Sequence, residues 1–184
     1  MNVLETIDTP VGSYAPDFEL PGIDKQVHHL RRYLESFRAV GVILMSNHCP
    51  YVKLYVERLK SIQTEFSKQG FTLIGVNGND ASQLPVESFE NMQTFAAARQ
   101  LNFPYLWDST QDVTRSFGAS KTPMAFLIDK EGILRYKGLI DDYPQDPLAV
   151  KKHFLKAAIA SVVQGKEIFP KETEPVGSAL VWRD

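Results

Sequence analysis

The sequence predicts an α/β fold with a central mixed sheet flanked by helices. Three observations carry this reading. The apolar run Val40–Met45 has the unbroken hydrophobicity of a strand buried on both faces of a sheet, and Phe71–Val76 reads as another buried strand. Between them, Val52, Val56, Leu59, Ile62 and Phe66 recur every three or four residues, the mark of an amphipathic helix, so strand, helix and strand imply a parallel crossover. Late in the chain, Met124–Ile128 and Ile133–Tyr136 flank the turn Asp129-Lys130-Glu131-Gly132, which supplies an antiparallel pair.

Taken in order, Asp17–Leu20 and Val27–Leu30 read as two short strands joined by a turn containing Gly22 and Asp24. Val40–Met45 is apolar throughout and belongs at the centre of the sheet. The helix after it spans Tyr51–Gln69, and Gly70 closes it. Beyond Phe71–Val76, the polar stretch Asn77–Gln83 leads to a helix over Val86–Gln100 and an extended piece around Pro104–Leu106. A short helix, Asp112–Phe117, ends at Gly118. After the hairpin strands, Leu148–Val163 reads as the last helix, with Ala149, His153, Ala157 and Ala160 among its repeating positions. Residues 166–184, with Pro170 and Pro175, read as a C-terminal tail over the surface of a single domain, residues 1–184. Parallel crossovers plus a late hairpin are what a thioredoxin-like fold requires.

Composition narrows the function classes. At 184 residues, 43% hydrophobic and 23% charged, the chain can bury one sizeable core. A formal net charge of -2 gives no reason to expect nucleic acid or an acidic membrane surface as a partner. No run approaches the roughly eighteen apolar residues of a membrane helix. Met1–Pro16 has neither the positive region nor the apolar stretch of a signal peptide, so a cytoplasmic location is expected. A single cysteine suits a reducing compartment, and any disulfide it forms joins it to another molecule. His28, His29, His48 and His153 lack the spacing of a closed zinc site, so no metal is predicted. No cofactor is predicted either, because no glycine-rich phosphate loop follows a predicted strand.

The one cysteine is placed for chemistry. Ser46-Asn47-His48-Cys49-Pro50 lies where the central strand hands over to the long helix, and unpaired N–H groups at a helix start favour an anion such as a thiolate. Pro50 suits the first helical turn, where its missing donor costs nothing. His48 and Lys53 are candidate cations beside the thiol. Thr122-Pro123 precedes Met124–Ile128, and a proline there marks a strand edge or a special turn, including a cis peptide. Each has a plainer reading: Cys49 as a small packing residue, His48 as a solvated turn residue, Lys53 as part of a solvated helix face.

Gly-Ser-Tyr-Ala-Pro-Asp-Phe-Glu-Leu, residues Gly12 to Leu20, resembles the opening signature of the redoxin superfamily, which joins the AhpC/TSA peroxiredoxins to TlpA-like thiol-disulfide proteins. Cys49 falls at that superfamily's reactive cysteine, Thr122-Pro123 resembles the thioredoxin cis-proline loop, and Phe126–Gly132 its closing hairpin. The resemblance runs from about Val11 to Gly165, and it is similar in its Asn-His-Cys-Pro-Tyr-Val core to a cytosolic thioredoxin-family subgroup. Many members of that subgroup carry cysteine where this chain has Ser46 and Ser178. The departures matter: Cys49 has no Cys-x-x-Cys partner, since Ser46 and Val52 flank it, Val42 replaces an expected proline, and Thr122-Pro123 lies where peroxiredoxins usually offer an arginine.

The resemblance implies an antioxidant-type oxidoreductase in which the Cys49 thiolate attacks a peroxide or disulfide substrate. Ser46 would hydrogen-bond the thiolate or the peroxide, His48 and Lys53 would tune charge, and Pro50, Thr122 and Pro123 would position substrate. With one cysteine, turnover needs an external thiol reductant such as glutathione, thioredoxin or a partner protein. The alternative, from another class, is a redox-inactive thioredoxin-fold binding or scaffold protein. An exposed thiolate supports the first and a buried thiol the second.

Overall fold

The computed structural model describes residues 8–184, so the first seven residues of the N-terminal reading lie outside it. In chain order the elements are β1 (Glu19–Pro21), β2 (Val27–His29), α1 (Leu30–Ser36), β3 (Ala39–Met45), α2 (Pro50–Phe66), β4 (Phe71–Asn77), α3 (Phe89–Arg99), β5 (Tyr105–Trp107), α4 (Asp112–Ser116), β6 (Lys121–Thr122), β7 (Met124–Asp129), β8 (Leu134–Gly138), α5 (Phe154–Val163) and β9 (Ser178–Ala179). The main sheet has the order β5-β4-β3-β7-β8. β3, β4 and β5 run parallel, while β7 is antiparallel to β3 and β8 to β7. The fold is thioredoxin-like, with the mixed sheet and central β3 that the sequence predicts.

Every residue of β3 is buried, because the strand alternates between two cores. Ala39, Ile43 and Met45 meet Val52, Tyr55 and Leu59 of α2, Met92 and Phe95 of α3, and Leu155 and Ile159 of α5. Val40, Val42 and Leu44 meet Phe18, Leu30, Phe117 and, from the far end of the chain, Leu180. Gly41 faces the first core, where a Cβ would crowd Leu73 and Phe71 at 2.9–3.0 Å. α2 carries the predicted apolar stripe, and a 3-10 turn at Ser67–Gln69 completes it before Gly70 reverses the chain at φ +80°.

Four segments differ from the sequence reading. Leu30 opens α1 instead of ending a strand: its helix is one of seven residues with a single buried position, too short for periodicity to show. Val86–Gln100 divides into a 3-10 turn over Pro85–Glu87 and α3, separated by Ser88, whose hydroxyl caps α3 by accepting from Asn91 N. Leu148 is 95% exposed in its own 3-10 turn. The chain from 150 to 153 stays non-helical, because Asp142 Oδ1 accepts from Lys151 N (2.9 Å) and Lys152 O accepts from Asp142 N (3.2 Å). α5 therefore begins only at Phe154.

The tail is more than a surface covering. Asp80 N donates to Val181 O, Val181 N to Asn79 Oδ1 and Gln111 Nε2 to Val181 O, each at 2.9 Å. Leu180 is buried in the second core, and Trp182 stacks under the Arg115 guanidinium at 4.4 Å. These bonds carry β9 antiparallel alongside β6, in the register Lys121 with Ala179 and Thr122 with Ser178.

Candidate active site

Cys49 is the residue immediately before α2, in an extended conformation (φ -61°, ψ 122°), with Pro50 opening the helix. Its side chain is buried, 1% exposed. Its surroundings are polar on one side: Sγ lies 3.2 Å from Thr122 O and 3.0 Å from Ser178 Oγ. The thiol donates to the carbonyl, leaving the sulfur lone pairs for the Ser178 hydroxyl. Burial pushes the Cys49 thiol up, but hydrogen bonds from the Ser178 and Thr122 side chains, joined by the backbone N–H groups of Val52 and Ser178, outweigh it and hold its pKa below the ordinary cysteine value.

The Thr122–Pro123 peptide is cis, and it faces Cys49 through the Thr122 carbonyl. Gly177, directly before Ser178, packs so tightly on Thr122 that a Cβ there would collide with its carbonyl oxygen. Three segments distant in sequence thus converge on one sulfur: the first turn of α2, the Thr122-Pro123 loop and the tail.

Ser46 is at the site in another capacity than the one expected. Its hydroxyl donates to Glu87 Oε1 (2.8 Å) and accepts from the backbone N–H groups of Cys49 (3.1 Å) and His48 (3.2 Å). The hydroxyl on the sulfur is that of Ser178. His48 turns Nδ1 toward Glu87 Oε1 and toward Ser46 Oγ, while its side chain is 44% exposed. Lys53 is exposed on α2, and its bond to Cys49 is the helical one from its N–H to Cys49 O (3.1 Å). Among the described residues no arginine hydrogen-bonds to Cys49.

Sequence reasoning misses the group that organises the turn, Glu87. Its carboxyl is wholly buried, with no exposed surface. Besides Ser46 and His48, it accepts from Asn47 N (3.1 Å) and from Asn77 Nδ2 (2.6 Å). Tyr105 OH donates to Asn47 Oδ1 (2.8 Å) and closes the network. Burial, and then the charge of Glu87, push the Tyr105 phenol well up, so it stays neutral. Glu87 sits at the start of the segment that reads as a helix, two residues after Pro85, and no local pattern separates it from a surface carboxylate. No cluster of three or more histidine, cysteine or carboxylate side chains able to hold a metal ion occurs among the described residues. No helix among them is long and apolar enough to cross a membrane.

Residues 11–137 match the model of the AhpC/TSA family. The chain belongs to that family. It is 30% identical over 124 residues to the thiol-disulfide oxidoreductase ResA of Geobacillus thermodenitrificans, an alignment covering 66% of this chain. The match spans 65% of that relative's length. A hypothetical protein of Sinorhizobium meliloti, SMc02350, is 33% identical with a TM-score of 0.88, covering 96% of each chain. The peroxidoxin BcpB of Mycobacterium tuberculosis shares the fold at a TM-score of 0.63 and 17% identity, over 84% of this chain and 96% of its own. Cys49 and the β3 to α2 turn that holds it lie inside the matched family segment, whereas Ser178 lies beyond its end.

Proposed function

We propose that this family member is a one-cysteine thiol oxidoreductase working through Cys49 with an external thiol as reductant. The observation that carries the reading is the sulfur held between Thr122 O and Ser178 Oγ, with its ionisation eased despite burial. Burial alone fits a packing cysteine. A packing cysteine, however, has no use for a hydroxyl brought 129 residues along the chain to 3.0 Å from its sulfur.

In the oxidative half, the thiolate attacks one oxygen of a peroxide: an S–O bond forms, the O–O bond breaks, and the departing alkoxide or hydroxide takes up a proton. Against a disulfide, an S–S bond to Cys49 forms and a thiolate leaves. An external thiol then attacks the sulfenic sulfur, releasing water and leaving a mixed disulfide, and a second thiol restores Cys49 while the two external sulfurs become a disulfide. Glutathione, thioredoxin or a partner protein in a cytoplasmic setting supplies such thiols. Ser178 stabilises the thiolate, His48 and Lys53 set the local charge, and Thr122-Pro123 with Pro50 shapes the approach to the sulfur. The reading takes residues 1–184 as one domain whose tail completes the site.

The test is mass spectrometry of the protein after substoichiometric hydrogen peroxide, with and without a sulfenic acid trap. A parallel arm exposes it to a small disulfide and then to glutathione. One trapped adduct or one mixed disulfide on Cys49, discharged by added thiol, is the expected outcome. A chain left unmodified in both arms would return Cys49 to a packing role and the protein to a binding or scaffold function.

A further inference from the structure

Glu87 occupies a position that is expensive to fill with a carboxylate. A wholly buried charge persists only where several donors converge on it, and here three of its partners are the consecutive residues Ser46, Asn47 and His48 that lead into Cys49. The fourth, Asn77, fixes the other carboxylate oxygen at 2.6 Å from the end of β4. Glu87 itself is held by the 3-10 turn Pro85–Glu87, and Asn47 Nδ2 donates back to Val86 O at 3.0 Å. Turn and carboxylate are thus locked to each other.

The consequence falls on His48. With Nδ1 turned inward to the buried carboxyl of Glu87, the ring nitrogen that makes no bond to Glu87 is Nε2, on a side chain 44% exposed. The ring belongs to the residue directly before Cys49. Other titratable groups around the pair are Cys49 and Tyr105, whose phenol stays protonated. The Lys53 side chain points to solvent.

We infer that Glu87 is a positioning residue that fixes His48 with Nδ1–H bound and Nε2 free, making His48 the proton donor and acceptor for Cys49 chemistry. This rests on the one-cysteine redox reading. As the sulfur attacks a peroxide, the S–O bond forms, the O–O bond breaks, and the leaving oxygen takes the proton from Nε2 of the imidazolium. His48 is then neutral, with Nδ1–H still donated to Glu87. When the external thiol arrives, Nε2 takes its proton. The thiolate so formed attacks the sulfenic sulfur, and the hydroxide that leaves recovers that proton as water.

The test is a double-mutant cycle on the full chain, with Glu87→Gln, His48→Gln and the double variant. Sulfenic acid formation by hydrogen peroxide is measured beside alkylation by iodoacetamide, whose leaving iodide needs no proton. The expected loss in peroxide rate is about a hundred-fold for each single variant, the lower range for general acid catalysis. The double variant should be no slower than His48→Gln alone, and alkylation, measured at a pH where the thiol is fully ionised in every variant, should change by less than about three-fold, roughly 0.6 kcal/mol. Losses that multiply, or an equal fall in alkylation, would assign Glu87 a purely structural role and overturn the inference. Nitrogen shifts of the His48 ring in the native chain give a readout independent of redox activity, and a ring protonated chiefly on Nε2 with Nδ1 bare overturns it directly. A native chain that forms no sulfenic acid, while its ring shows Nδ1–H, removes the redox reading first and this assignment with it.

Discussion

Replacing Ser178 by alanine separates the two influences on the Cys49 thiol. Burial opposes the thiolate, and the Ser178 hydroxyl, as the first of the hydrogen bonds that answer it, favours it. Ser178→Ala leaves the burial and removes the bond, so the thiol pKa rises and alkylation by iodoacetamide at neutral pH slows by about ten-fold, the factor set by a charge-assisted bond of roughly 1.5 kcal/mol. The measurement is the alkylation rate as a function of pH, with the midpoint in the alanine variant displaced upward. The family resemblance implies position 178 as the site of a lost cysteine. Its hydroxyl acquires a role only because β9 pairs with β6 and brings it onto the sulfur. The expectation for Ser46 fails for the complementary reason: position 46 has the right spacing from Cys49, but a carboxylate from 41 residues further along claims its proton.

The tail strand both supplies that hydroxyl and closes the sulfur off, and Gly177 allows the effects to be pulled apart. Gly177→Ala drives a methyl group into the Thr122 carbonyl while keeping Ser178, so the strand lifts and Cys49 becomes accessible. Alkylation under conditions where the thiol is fully ionised should then accelerate relative to the native chain. An unchanged rate would mean that reagents reach the sulfur by a route that does not cross β9. Ser178→Cys exploits the opposite case, a tail in place: a sulfur there starts about where Oγ stands, 3.0 Å from Sγ, and a modest adjustment reaches the roughly 2.05 Å of a disulfide. It should form an internal disulfide under mild oxidation faster than Ser46→Cys, whose thiol would face the Glu87 carboxylate. Mass shifts after alkylation of free thiols follow both reactions. β3, α2, β4 and the β7–β8 hairpin are legible in the sequence because their apolar periods run long enough to be unambiguous. Thr122-Pro123 is legible because proline before a strand is chemically distinctive. α1 is too short to show a period, and the break before α3 hides because Pro85–Glu87 continues a helical pattern without being part of the helix. Glu87 and the docked tail depend on contacts across tens of residues, which no local pattern encodes.

Folding assembles the surroundings of Cys49 from segments that are far apart in the unfolded chain, so the ionisation of Cys49 is linked to global stability. In the native protein its pKa lies below the ordinary value, whereas in the unfolded chain it is that of a free cysteine, about 8.5. Between the two values the unfolded state binds more protons than the native state, and stability rises with pH across that window. The contribution is complete above about 8.5 and is lost as pH falls through the native value. Serine does not ionise in this range, so Cys49→Ser lacks this term while keeping every other titrating group. The unfolding free energy of the native chain minus that of Cys49→Ser, from urea denaturation under reducing conditions at a series of pH values, should therefore climb with pH and level off above about 8.5. A difference that stays flat would show that the folded environment leaves the thiol unshifted. A difference that falls with rising pH would show that burial prevails over the Ser178 and Thr122 bonds, and that the native sulfur is held as an inert thiol.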